Sequence, residues 1–135
     1  MTDWDLVAKR LAFIETCVQE LRSLAQPEEI RRDIRQERFV EHTLQIAIQA
    51  ALDVAGHIVS DERLGEPRTN QELFELLERY RWIPSDLSSS LRKMAGFRNI
   101  LVHGYETVDL AIVEKIVTDH LDDLLRFASA IRAKL

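Results

Sequence analysis

The sequence predicts an all-α protein, an up-and-down bundle of four to five helices. Apolar residues recur at alternating spacings of three and four over most of the chain, which is the helical period. Only 4 Gly and 3 Pro in 135 residues leave few positions for the tight turns of a sandwich or barrel. No alternation of apolar and polar residues is long enough to predict a strand. Short connections between successive helices then favour antiparallel neighbours.

The first predicted helix runs from about Asp3 to Leu24. Its apolar residues form one amphipathic seam: Val7, Leu11, Ile14, Val18 and Leu21. Pro27 interrupts this pattern. Glu28 and Glu29 suit the first turn of a helix, where acidic side chains face the positive end of the helix dipole. We therefore expect the second helix to begin close to Pro27.

The segment from Leu44 to Val59 is apolar on nearly every face. A helix of this kind cannot leave one side to water. It is either the central helix of the bundle or it also contacts a second chain. In a chain of 135 residues the second possibility carries weight, and we predict a homodimer.

Residues 60–68 contain glycine and proline and are predicted to form a loop. Thr69, followed three residues later by Glu72, has the form of a capping box and starts a short helix that ends near Arg79. The chain leaves the helical region before Pro84, because the residue that precedes a proline disfavours it.

Two more helices complete the predicted bundle. Ser85 is expected to cap a helix that continues through Leu101, and Gly104 to end it. Thr107 or Asp109 then caps the last helix. Its apolar positions are Leu110, Val113, Val117, Leu121, Leu124 and Phe127.

The composition describes a soluble chain without signals for export. Hydrophobic residues make up 46% and charged residues 30%. The N-terminus lacks the basic and then apolar regions of a signal peptide, and no stretch approaches the roughly 20 apolar residues of a membrane span. The single cysteine, Cys17, cannot form an internal disulfide, which is typical of a reducing compartment. We expect one domain, residues 1–135, in the cytoplasm.

The net charge of −5 argues against a broad surface that coats nucleic acid, since such surfaces are basic. It is compatible with a small local phosphate site. Arg92, Lys93 and Arg98 form a basic group that leads directly into the motif described next.

One short run concentrates the groups that could carry chemistry. Arg98, Asn99, His103 and Tyr105 lie along an apolar segment that closes at Gly104. Arginine is a permanent cation suited to phosphate, and histidine can move protons near neutral pH. This pairing indicates phosphodiester chemistry. The alternative is a helix end whose polar side chains cap the chain and face water.

In this helical context the run resembles the motif of the HEPN superfamily, and residues 94–105 are similar to the HepT ribonuclease toxins. The resemblance implies a metal-independent endoribonuclease that needs no cofactor, in which the ribose 2′-hydroxyl attacks its own phosphate. His103 would act as general base or acid, Arg98 would stabilise charge on the phosphate, and Asn99 would orient either partner. RNA is the implied substrate rather than DNA, which lacks the attacking hydroxyl.

The spacing of the two principal residues constrains this site. In a regular helix, side chains at positions 98 and 103 point about 140° apart. Arg98 and His103 therefore converge within one chain only if the helix ends near Val102, which Gly104 would permit. The resemblance offers a second solution, in which two copies of the motif meet across a homodimer and form one composite cleft.

The resemblance also implies a partner. HepT toxins pair with small nucleotidyltransferases of the MntA type, which attach adenylyl groups to the tyrosine two residues beyond the histidine. That tyrosine is Tyr105 here. A bulky anion at this position would block the cleft and offset the charge of Arg98. The alternative for Tyr105 is a buried ring whose hydroxyl is hydrogen-bonded.

Asp53 and His57 lie one turn apart on the predicted central helix and therefore share a face. They are either a hydrogen-bonded buried pair, partners across a dimer, or supporting groups beside the cleft. No metal site is predicted, since the sequence has neither a His-Glu-x-x-His pattern nor paired cysteines. The alternative to the enzyme is a non-catalytic helical module that serves a nucleotidyltransferase as scaffold or binding subunit.

Overall fold

The computed structural model describes residues 2–104 and 108–135, and all regular structure in these ranges is helical. A turn of π-helix, Ile116–His120, joins the last two helices into one continuous run. The predicted all-α bundle is therefore confirmed. The helices are α1 (Trp4–Leu24), α2 (Ile34–Asp61), α3 (Asn70–Arg79), α4 (Ser85–His103), α5 (Leu110–Lys115) and α6 (Leu121–Arg132).

The first connection differs from the prediction. Asp3 caps α1, its Oδ1 accepting from the backbone N–H of Leu6 at 3.1 Å. The second helix does not begin at Glu28 and Glu29, which lie in a single 3₁₀ turn. It begins at Ile34, because Asp33 supplies the side-chain acceptor that a helix start favours: its Oδ1 lies 2.9 Å from the backbone nitrogen of Arg35.

Helix α2 is the central helix of the bundle, and α1, α3, α4 and α6 all pack against it. Its side chains are buried on most of its circumference within one chain, as Ala47, Ala51, Ala55 and Ile58 are fully inaccessible. The apolar character of this helix is therefore explained without a second copy. The homodimer stays a prediction that needs a different surface.

The structure confirms the predicted cap of α3 and shifts that of α4 by one residue. Thr69 Oγ1 accepts from the backbone N–H of Glu72 at 3.2 Å and starts α3. The Glu72 carboxylate turns back to the backbone N–H of Arg68, at 2.6 Å. Ser85 is the first residue of α4 rather than its cap, since Pro84 occupies the cap position with an extended backbone.

The last helical run contains a feature that the apolar spacing does not reveal. Asp109 caps α5 through Oδ1, 2.9 Å from the backbone nitrogen of Ala111, while the other candidate cap, Thr107, lies outside the described residues. The π turn adds a residue to one turn of the ladder. Val117 within the π turn and Leu121 after it are both buried.

An aromatic cluster fixes the end of the bundle at which α4 begins. The rings of Trp4 and Trp82 stack with centroids 6.3 Å apart, and Lys134 Nζ lies 5.6 Å from the Trp82 ring centroid. The 19 residues of α4 span about 28 Å, so the Arg98–His103 motif lies near the opposite end of this helix. No helix in the described ranges is long and apolar enough to cross a membrane.

Candidate functional site

The motif occupies the last turn and a half of α4. The helix includes His103 and ends at Gly104, whose backbone N–H donates to the Ile100 carbonyl at 2.7 Å. Because His103 is still helical, the side chains of Arg98 and His103 project about 140° apart. Convergence of Arg98 and His103 within one chain needs a helix that ends near Val102. The helix continues through His103, so this condition is not met.

Arg98 lies on the buried face of α4, the face that also carries Leu91, Ala95 and Leu101. Its Nε is inaccessible to solvent and has no hydrogen-bond partner in the described part of the chain. Its Nη1 lies 3.4 Å from Asn99 Oδ1, and no described carboxylate forms an ion pair with it. A buried donor on a permanent cation is costly when unsatisfied, and an anion bound at this place would satisfy it.

The basic group that the sequence indicated divides into two kinds of residue. Arg92 is already engaged: Nη1 donates to Glu75 Oε1 at 3.3 Å and Nε to the Ser88 carbonyl at 3.4 Å. Lys93 and Arg98 form no ion pair within residues 2–104 and 108–135. Of the three cations, Arg92 alone has a carboxylate partner among the described residues.

Asn99 lies between the two principal residues. Its Oδ1 accepts from Arg98 Nη1 and from Asn70 Nδ2, each at 3.4 Å. Asn99 and His103 are four residues apart and share a face of α4. Asn99 thus connects Arg98 with the face on which His103 is exposed to solvent.

Asn70 is the site residue that the sequence reasoning missed. It is the first residue of α3, and its position next to Thr69 was attributed to the capping box alone. Its contact with Asn99 spans 29 residues. The sequence signal is only that an amide side chain, Asn70, directly follows the cap Thr69. This position by itself does not indicate a contact with another helix.

Asp53 and His57 do not form a hydrogen-bonded buried pair, which is one of the three arrangements that the sequence leaves open for them. Asp53 is exposed and accepts from Gln49 Nε2 at 2.8 Å. His57 Nε2 lies 3.0 Å from the backbone nitrogen of Asp3 and 3.1 Å from Asp61 Oδ2. One nitrogen cannot serve both at once: without a hydrogen, Nε2 accepts from the backbone N–H of Asp3, and with a hydrogen it donates to Asp61 Oδ2.

This correction has a physical reason. The ring of His57 has a neighbour four residues away on either side, and the start of α1 docks on the side of Asp61. No hydrogen bond joins Asp53 or His57 to the motif in the described residues. The structure therefore gives the pair no support as groups beside the cleft. Tyr105 lies outside the described residues.

A groove of about 670 Å³ lies between α4 and the α5–π turn run. Its rim carries Lys93 and His120, and its apolar lining includes Met94, Phe97, Ile100, Ile112 and Ile116. Ile100 and Ile112 are 42% and 44% exposed, although both are large and apolar. Two of its lining residues, Phe97 and Ile100, flank Arg98 and Asn99 in the sequence, while Arg98, Asn99 and His103 themselves are not among its lining residues.

A second cavity, of about 520 Å³, is lined by polar residues of α2 together with Leu101 of α4. Within it, partial burial and the neighbouring charge of Glu37 raise the pKa of Glu41. Burial raises the pKa of the Cys17 thiol to about 11, so this group is neutral near pH 7 and a poor nucleophile. Across the described ranges, no three His, Cys, Asp or Glu residues form a group that could hold a metal ion.

A helical bundle with an Arg-x4-His motif at the end of one helix defines a HEPN-type protein. A family model described as Ribonuclease HepT-like matches residues 14–131. A protein described as mRNA nuclease HepT, from Shewanella oneidensis, is 32% identical over 131 residues, which are 96% of this chain and 98% of that protein. The chain belongs to the HepT-like ribonuclease family of HEPN proteins.

Solved structures agree with this assignment. A tri-AMPylated HEPN toxin from Shewanella oneidensis, in complex with an MNT antitoxin, has a TM-score of 0.88 at 32% identity and covers 98% of this chain and 99% of its own. A toxin–antitoxin structure with AMP-PNP has a TM-score of 0.90 at 32% identity, covering 96% and 98%. A protein described as tRNA nuclease HepT, from Aphanizomenon flos-aquae, is 36% identical over 74 residues, 55% of this chain and 50% of that protein.

Proposed function

We propose that this chain is a metal-independent endoribonuclease toxin that cleaves RNA at a site built from Arg98, Asn99 and His103. The observation that carries the proposal is Arg98, a permanent cation with a buried Nε that no described group satisfies. A phosphate anion supplies the missing acceptor. Membership of a ribonuclease family makes an RNA phosphodiester the anion to test first.

The reaction follows from the groups at the end of α4. The ribose 2′-oxygen attacks its adjacent phosphorus and loses its proton to a base, the bond from phosphorus to the 5′-oxygen breaks, and that oxygen gains a proton. The products are a 2′,3′-cyclic phosphate and a free 5′-hydroxyl. His103, exposed at the helix end, moves a proton. Arg98 and the amide of Asn99 stabilise charge on the phosphate oxygens.

A composite cleft between two copies is the arrangement that fits the helix geometry. Arg98 and His103 project about 140° apart on one helix, so we propose that Arg98 of one copy acts with His103 of a second copy. The groove between α4 and α5 is the surface we assign to this contact. It is apolar, it carries the exposed Ile100 and Ile112, and its lining residues Phe97 and Ile100 adjoin Arg98 and Asn99 in the sequence.

Regulation is proposed at Tyr105, two residues beyond His103. The Shewanella oneidensis toxin is described as tri-AMPylated and in complex with an MNT antitoxin. By analogy, an MntA-type nucleotidyltransferase partner would transfer the adenylyl group of ATP to the Tyr105 hydroxyl and release pyrophosphate. The added anion would compete with the RNA phosphate for Arg98.

The test is cleavage by purified protein in which mass spectrometry shows Tyr105 to be unmodified. The protein is incubated in EDTA with RNA and with DNA of the same sequence, beside Arg98→Ala, His103→Ala and the matched control Arg92→Ala. We expect the parent and the control to cleave RNA alone and leave cyclic-phosphate ends. Intact RNA in every lane would overturn the enzyme and favour the non-catalytic binding or scaffold module.

Mixing the two inactive variants tests the composite cleft separately. Arg98→Ala and His103→Ala are combined under conditions that let subunits exchange. If the site is shared between copies, one of the two sites in each mixed dimer is intact, and about a quarter of the parent activity returns. If each chain carries its own complete site, no activity returns and the composite cleft is wrong.

A further inference from the structure

The N-terminus of α3 contacts the motif through a side-chain hydrogen bond. Asn70 is half-buried, and its Nδ2 lies 3.4 Å from Asn99 Oδ1. The approach is close because Gly96, one turn before Asn99, has no side chain. A Cβ at that position would lie 3.3 Å from Gln71 Nε2, tighter than an ordinary contact. The two helix segments thus meet at Asn70 and Asn99.

The chemistry of arginine determines the orientation of both amides. A guanidinium only donates, so the Asn99 atom that faces Arg98 Nη1 at 3.4 Å must be the oxygen. The same oxygen faces Asn70, and the Asn70 atom opposite it must therefore be the NH₂ group. Asn99 Nδ2 is directed away from both and donates to no described residue.

We propose that Asn70 is a positioning residue for RNA cleavage. It holds the amide of Asn99 with Oδ1 toward Arg98, so that Asn99 Nδ2 faces outward on the face of α4 that carries His103. Arg98 and Asn99 then present donors to one phosphate without first reorganising. Asn70 itself does not touch the substrate. This inference rests on the proposed ribonuclease function.

Asn70 is suited to this task because its own backbone is fixed. It follows Thr69, whose Oγ1 accepts from the backbone N–H of Glu72, and the Glu72 carboxylate accepts from the backbone N–H of Arg68. The first turn of α3 is therefore closed by two side-chain bonds that involve neither Asn70 nor the motif. Replacing the Asn70 side chain removes the bond to Asn99 and leaves the cap in place.

The experiment is a double-mutant cycle on RNA cleavage. Asn70→Ala is expected to lower kcat/KM by about threefold to tenfold, the size typical of one neutral hydrogen bond. In the Asn99→Ala background the same substitution is expected to have no further effect, because there is no amide left to orient. Gln71→Ala, which alters the adjacent residue without touching Asn99, is the matched control and should cleave like the parent.

A second readout keeps the inference separate from the proposed function. The parent, Asn70→Ala, Asn99→Ala and the double variant are compared for binding to a 2′-O-methyl RNA. This RNA presents phosphates but lacks the attacking hydroxyl. Asn70→Ala should weaken this binding only when Asn99 is present. Equal losses in both backgrounds, or no loss in either, overturn the role of Asn70. A parent that binds this RNA but cleaves none overturns the proposed function, and the binding cycle still decides the inference.

Discussion

Arginine is used in opposite ways at two regions of this molecule. Where α1 packs on α6, Arg132 forms a two-bond ion pair with Glu15, with Nη2 at 2.7 Å from Oε1, and Arg22 pairs with Asp122. At the end of α4, Arg98 has no carboxylate partner in the described residues and keeps a buried, unsatisfied Nε. The first region joins α1 to α6, and the second leaves a guanidinium donor without a partner in the described residues, which is the basis of the proposed phosphate site.

The electrostatics of the two regions differ accordingly. Hydrogen bonding and the charge of Arg132 lower the pKa of Glu15, so this carboxylate is stabilised by a partner within the fold. Glu41, in the polar cavity beside Leu101, has a raised pKa because it is partly buried and faces Glu37. Charges are therefore paired along the α1–α6 contact, whereas in the cavity beside Leu101 burial and Glu37 outweigh the opposing charge of Arg38 on Glu41.

The largest effect should come from replacing each arginine with methionine and measuring RNA cleavage. Arg98→Met removes the stabiliser of phosphate charge and should lower kcat/KM by about 10²- to 10³-fold. Arg132→Met alters a partly exposed ion pair remote from the motif in sequence and should cleave like the parent. Comparable losses in the two variants would abolish the functional distinction between the regions.

The same two variants should differ in the opposite sense in stability. Arg98→Met replaces a buried unsatisfied donor with an apolar side chain and should raise the free energy of unfolding by about 1 kcal/mol. Arg132→Met should lower it by up to about 1 kcal/mol, the usual range for an exposed pair. Denaturant unfolding of both variants beside the parent measures this. A destabilised Arg98→Met would mean that the fold already satisfies Arg98.

Most of the fold could be predicted because its determinants are local. Thr69 caps α3 as the sequence predicts, and Asp109, one of the two predicted candidates, caps α5, since a cap needs only a side-chain acceptor next to its own helix. The all-apolar pattern of α2 likewise predicts a buried helix. The predicted start of α2 is wrong because the segment contains two possible helix starts. The structure uses Asp33 as the cap and places the acidic residues after Pro27 in a separate 3₁₀ turn.

The site was predictable in its residue types and not in its contacts. Arg98, Asn99 and His103 fall in one run of sequence, but the bond from Asn70 to Asn99 joins two helices and depends on their packing. The pairing of His57 failed for the same reason, since the start of α1 reaches it from 54 residues away. Periodicity along one helix predicts which of its residues share a face. It does not predict which other element of the fold packs against that face.

A pH series sharpens the comparison at the paired region. The pKa of Glu15 is lowered in the folded protein. The stability that Glu15 contributes is therefore present above the ordinary pKa of 4.5 and is lost as the pH falls through the folded pKa. We expect the stability difference between the parent and Arg132→Met to be constant near neutral pH and to vanish in acid. Thermal unfolding between pH 7 and pH 3 tests this. A difference that persists at the acid end would show that it arises from packing rather than charge.

The smallest effect should appear beside the motif, with the opposite sign. Because the pKa of Glu41 is raised in the fold, its contribution is fully present below 4.5 and is lost as the pH rises through the folded pKa. Glu41→Gln mimics the protonated group, so it should stabilise the protein at neutral pH and have no effect in acid. The stabilisation should be small, about a few tenths of a kcal/mol, because the side chain is still partly exposed to solvent. Glu37→Gln should act in the same direction, because it removes the charge that opposes ionisation of Glu41. If Glu41→Gln instead destabilised the protein at neutral pH, the attraction of Arg38 would outweigh burial and the charge of Glu37, and the cavity would belong with the paired region.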